Sequence, residues 1–103
     1  MTQETTKTQT VWSVILNSTY NGVHETKSQP YSNLESAKQA FFRTVREEKA
    51  LAKDEGYLDE DGNCTEEWDM SYCAIDGAYS WCLQKMGWPD YSNVWIEEQT
   101  VLD

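Results

Sequence analysis

The chain has 103 residues, with 18 Asp and Glu against 8 Lys and Arg and a formal net charge of −10. That length holds one domain with a modest core and excludes two. Five Trp, six Tyr and two Phe bring enough buried area to exclude a solvated disordered chain.

Residues 1–9 are polar and Thr/Gln-rich and read as a disordered tail ahead of a single domain over 10–103. The start lacks the apolar core of a signal peptide, and no window approaches the ~20 apolar residues of a membrane span. The expectation is a cytoplasmic protein without membrane contact.

Thr10 to Asn17 is β-branched and aromatic, with apolar residues on both faces, and predicts a central, well-covered strand. Asn21-Gly22 after Tyr20 is a hairpin signal, because both residue types tolerate positive φ. Val23 to Tyr31 is then a second, edge strand, with Lys27 and Pro30 as features that keep an edge from pairing further. Ser32-Asn33-Leu34-Glu35 has the form of a capping box opening a helix that runs to about Lys53. At 100° per residue Leu34, Ala37, Phe41, Val45 and Ala52 share one stripe, with Phe42 on its flank. Gly56 lies just past the expected end.

Lys38, Arg43, Arg46, Lys49 and Lys53 fall along one flank of this helix. Such a flank is ordinarily solvated surface whose aliphatic stems cover apolar area. Here Lys49 and Lys53 are also expected to neutralise part of the acidic stretch that follows. Asp54 to Glu67 reads as a solvated, flexible loop, with Gly56 and Asp61-Gly62-Asn63 as turn signals. Trp68 to Ile75 alternates as a third strand, and Asp76-Gly77 marks a turn. Ala78 to Asp90 begins as an extended run and passes into a loop or helical turn before Pro89. Ser92 to Val101 is the closing strand. The fold class is therefore α+β: a four-stranded antiparallel sheet, in the order strand, strand, helix, strand, strand, with one long helix on one face.

The first strand with its Trp, the Asn-Gly turn and the Ser32-x-Leu34-Glu35-x-Ala37-Lys38 helix opening form one pattern over residues 10–101. An acidic loop and a closing Val94-Trp95-Ile96-Glu97-Glu98-Gln99-Thr100-Val101 strand complete it. This succession resembles small uncharacterised proteins of bacteriophages and mobile elements of gut bacteria. The resemblance implies a fold and a genetic setting, and no activity.

Charge is unevenly placed. Residues 1–53 carry seven basic and five acidic side chains; residues 54–103 carry Lys85 alone against thirteen acidic ones. Direct binding of DNA or RNA is disfavoured, since phosphate contacts rest on Lys and Arg. The acidic loop fits no EF-hand. Asp59, Asp61 and Asn63 match the first three ligand positions, but Cys64 stands where Gly is needed and Met70 where Glu is needed. Cys64, Cys73 and Cys82 lack the close pairing of zinc ligands and read as reduced thiols. No nucleophile, acid–base or phosphate-loop signature is present. The expectation is a protein that is not an enzyme and needs no metal or cofactor.

The remaining class is a binding surface. Its candidate residues are Asp59, Glu60, Asp61, Glu66, Glu67, Asp69, Glu97 and Glu98, with Trp81 and Trp88 as exposed aromatic anchors in the least regular segment. Aromatics at such positions are more often core. The complementary partner is a basic, nucleic-acid-binding protein, met by electrostatic mimicry of nucleic acid. In a phage or mobile element that partner would be a host defence nuclease, as in anti-CRISPR inhibition. The alternative is a structural or assembly protein that self-associates, a homodimer being the simplest form.

Overall fold

The computed structural model describes residues 8–20, 22–75, 78–87 and 89–102. Its elements are β1 (Thr8–Tyr20), β2 (Val23–Tyr31), α1 (Leu34–Asp54), β3 (Trp68–Ile75), β4 (Ala78–Lys85) and β5 (Tyr91–Leu102). They form one antiparallel sheet in the order β2-β1-β5-β4-β3, with α1 on one face. The α+β class holds, and the sheet has five strands where four were expected. The additional strand is β4. Tyr79, Trp81 and Leu83 alternate as buried residues with exposed Ser80 and Gln84, a period of two that only a strand produces. Gly87 at φ 78° and a bond from Lys85 N to Asp90 O, 3.0 Å, then close the hairpin into β5.

Thr8 and Gln9, expected in the tail, extend β1 and pair with Leu102 and Val101. The β1–β5 ladder continues to Thr19 opposite Tyr91 and joins the N-terminal hairpin to the C-terminal three strands. Tyr20 pairs with Val23, and Gly22 takes φ 82° in the short connection. Asn21 and the expected Asp76-Gly77 turn lie outside the described residues. β1 is central as expected but is covered on one side only. Val14 and Leu16 are buried against the helix, while Ile15, Asn17 and Thr19 lie on the face away from it and are only half-buried.

The helix start is one residue later than the capping box implied. Asn33 is the N-cap, its Oδ1 accepting from Ser36 N at 2.8 Å. Asn caps as well as Ser does, so the two adjacent candidates compete. At the other end Gly56 N bonds to Lys53 O and Tyr57 N to Ala52 O at 2.8 Å, the pairing of a Schellman termination, with Gly56 at φ 83° in the left-handed position. Ala37, Ala40, Phe41, Val45, Glu48 and Ala52 face the sheet. The core is Phe41 and these alanines against Val14, Leu16, Trp81, Leu83 and Val94.

One helix, 10–12 Å across with its side chains, cannot cover five strands about 4.8 Å apart, whose outer axes lie roughly 19 Å from each other. It rests on β1 and β5 and reaches β3 only through side chains. Grooves therefore open on both sides of it, over β2 and over β3. No helix among the described residues is long and apolar enough to cross a membrane.

Candidate functional site

The acidic stretch is built onto the end of the sheet where α1 and β1 finish and β3 and β5 begin. Past the helix cap, Tyr57 stacks on Trp68 with ring centroids 4.1 Å apart and on Tyr20 at 5.7 Å. Leu58 follows it into the core and forms an isolated antiparallel bridge with Cys64. Between them Asp59 Oδ1 accepts from both Asp61 N and Asn63 N at 2.9 Å, and Asp59 N donates to Asn63 O at 2.8 Å. Thr65 Oγ1 lies within hydrogen-bonding reach of the Gly56 and Tyr57 carbonyls, and Met86 N donates to Glu67 O at 2.7 Å.

The expected flexible loop is thus a small ordered structure, pinned by two aromatic rings and its own hydrogen bonds. Asp and Asn close such turns through their short side chains, so the same residues that supply charge also supply rigidity.

Asp54, Glu55, Asp59, Glu60, Asp61, Glu66, Glu67 and Asp69 are all exposed at this end. Burial pushes the Tyr57 hydroxyl above its ordinary pKa, with Glu55 and Asp90 adding to the shift. Burial likewise raises the Cys64 thiol, reinforced by Asp69 and Asp59. The expected neutralisation by the helix is not found. Among the described residues neither Lys49 nor Lys53 pairs with a carboxylate; Lys49 instead lies over the Tyr72 ring, 5.7 Å from its centroid. Asp59 commits its Oδ1 to the loop backbone, and no cluster of three or more His, Cys, Asp or Glu suited to a metal occurs among the described residues.

The expected site divides. Asp59, Glu60, Asp61, Glu66, Glu67 and Asp69 come together at this end. Glu97 and Glu98 do not join them: they follow Tyr91 by six and seven residues along β5, roughly 20 Å or more away at the strand rise, and face opposite sides of the sheet. Glu98 lines a small hollow with Trp12, Leu34, Tyr79 and Ile96 on the helix side. Glu97 accepts from Gln99 Nε2 at 3.2 Å on the other face.

Trp81, expected as an exposed anchor, is 1% exposed. It points under the helix between Tyr79 and Leu83, opposite Val94 and Tyr72. Its indole Nε1 has no hydrogen-bond partner among the described residues. Trp88 lies outside the described residues. The aromatic surface is supplied instead by Tyr72, 52% exposed, and Phe42, 41% exposed.

Two features were missed from the sequence. The basic flank is split by the helix: Arg43 lies on the β2 side and pairs with Glu47 at 3.9 Å. Arg46 and Lys49 line a groove of about 280 Å³ with Phe42, Val45 and Tyr72 on the β3 side. Beneath the helix, Glu48 is 8% exposed and accepts from Ser92 Oγ at 2.8 Å. The nearby Tyr20 hydroxyl is pushed up to about 12, by burial first and by the Glu48 charge, with Ser92 acting the other way. The signal for Glu48 was its place on the stripe of Phe41, Val45 and Ala52, where a carboxylate must be buried or displace the helix. Comparison with protein-family models, with curated proteins and with solved structures returns no match.

Proposed function

We propose that this protein is an acidic protein-binding module that presents its ordered anionic end to a basic, nucleic-acid-binding partner. What supports the reading is the loop from Asp54 to Asp69: eight exposed carboxylates on a hydrogen-bonded frame, with neither Lys49 nor Lys53 paired to them among the described residues. A pre-ordered array loses little conformational entropy on binding, and complementary charge speeds encounter with a cationic groove. Such a module competes with nucleic acid for the groove. In the phage or mobile-element setting that the resemblance implies, it would inhibit a defence nuclease.

The test is retention of nucleic-acid-binding proteins from a bacterial lysate on the immobilised chain, released by salt and by competing DNA. Replacing Asp59, Asp61, Glu60, Glu66 and Glu67 by Asn or Gln should abolish retention. Asn at 59 keeps the oxygen that accepts from Asp61 N and Asn63 N, so the loop frame survives and charge alone is removed. Retention unaffected by these changes refutes the reading. The alternative, self-association, is favoured by a separate observation at the edge of β3.

A further inference from the structure

The two edges of the sheet are unlike. β2 is guarded: Pro30 lacks an N–H, and Lys27 and Glu25 form an exposed ion pair at 3.1 Å, devices that discourage further strand pairing. β3 has none of them. Its residues Trp68–Ile75 include no Pro, Lys or Arg, and its single charge, Asp69, lies on the face away from the helix. Its outer backbone groups have no strand beside them among the described residues. Its helix side carries Tyr72, half exposed, with Phe42 beside the same groove.

Charge is arranged along this edge in a definite direction. The acidic loop precedes β3 at its Trp68 end. The helix flank on the β3 side is basic, running from Lys38 over Tyr79, a neighbour of the far end of the strand, through Arg46 to Lys49 over Tyr72. Arg46 makes no ion pair among the described residues.

We infer that β3 is the interface of a twofold homodimer in which two copies pair their β3 strands antiparallel into one ten-stranded sheet, each acidic loop set beside the basic helix flank of the other copy. Antiparallel pairing reverses the second strand, so the loop ahead of one Trp68 meets the Lys38–Arg46 half of its partner's helix. A parallel pairing would set loop beside loop, and with a net charge of −10 on each chain that arrangement is the more repulsive one. The contact is isologous and closes on itself. The helix does not overlie β3, so the second copy enters without displacing it, and the Tyr72 and Phe42 rings of both copies line one cleft between the helices. The loop tips from Asp59 to Asp61 remain outward, so the dimer carries an anionic end on each side. The inference is independent of the partner proposed above.

Sedimentation equilibrium of the full chain across a concentration series tests it. The expected mass is about twice the 11.9 kDa of the chain. Tyr72→Lys puts a guard on the edge and should weaken the dimer by about tenfold or more. Arg46→Glu should weaken it several-fold, and adding Glu66→Lys to that variant should restore most of the loss, a recovery that a generally damaged fold would not show. Amide exchange in β3 should slow as the dimer forms while that in β2 stays fast. A monomer at every concentration overturns the inference. So does a dimer indifferent to both Tyr72→Lys and Arg46→Glu, which would place the contact on the open face of the sheet.

Discussion

Replacing Ser92 by Ala should cost this protein far more than the loss of one small hydroxyl suggests. Ser92 is fully buried on the helix side of β5, and its Oγ donates to the Glu48 carboxylate at 2.8 Å. A hydrogen bond to a charged group contributes about 1.5–3 kcal/mol net, and a buried group left without its partner bears the desolvation cost in full. Alanine leaves the buried carboxylate without that donor, so a loss of ~2–3 kcal/mol is expected. At about 4–8 °C per kcal/mol for a domain of this size, the melting temperature falls by roughly 10–20 °C. The cycle with Glu48→Met separates the coupling from simple loss of volume. With the carboxylate already gone, Ser92→Ala should cost less, by ~1.5 kcal/mol or more. Urea unfolding followed by Trp fluorescence measures each corner. A single-variant loss below ~0.5 kcal/mol, or additivity within the same margin, would refute the reasoning and mean that the carboxylate is satisfied by water.

The pH dependence of stability has a definite sign at the same cluster. The Tyr20 hydroxyl is raised to about 12, so between pH 10 and 12 the unfolded chain loses a proton that the folded chain keeps, and stability falls as pH rises through that window. Below it the contribution is fully present. Tyr20→Phe should flatten this part of a plot of urea midpoint against pH; an unchanged slope would assign the loss to other groups. For Trp81→Phe the smaller ring leaves a cavity costing ~1–2 kcal/mol, offset by release of a buried N–H that lacks a partner among the described residues, itself ~1–3 kcal/mol. The expected net change is within ~1 kcal/mol by the same urea assay, and a loss above ~3 kcal/mol would show that the indole N–H is satisfied.

Local signals in the sequence were legible where one element could be recognised from its own residues. β2 and β3 have the bounds expected from Val23–Tyr31 and Trp68–Ile75, because turn residues flank them and the side chains of β3 alternate. The end of the helix was legible too, since Gly56 is the residue that a left-handed termination needs. β4 was obscured because its period of two stops at Leu83, while Met86 and Trp88 continue the apolar run in the sequence. The run begins extended and turns irregular, so Trp81 was expected at the surface of the least regular segment, although Tyr79, Trp81 and Leu83 taken alone already place it on a buried face. Glu48 is legible by its place on the helical stripe, although a carboxylate is ordinarily outside.

Long-range placement was less accessible, and the reason is geometric. The acids from Asp59 to Asp69 are neighbours in the chain, so a loop keeps them together whatever the sheet does. Glu97 and Glu98 could join them only through register, and β5 carries them to the opposite end by pairing Glu98 with Trp12 and Glu97 with Ser13. The fifth strand has the larger consequence. In a four-stranded sheet a single helix covers most of one face, and a basic flank is plain solvated surface. With β4 inserted, β3 is pushed beyond the helix, and Arg46 and Lys49 become the wall of a groove beside an unguarded edge. In the proposed dimer, one added strand converts a charge pattern that would neutralise a single chain into one that is complementary between two.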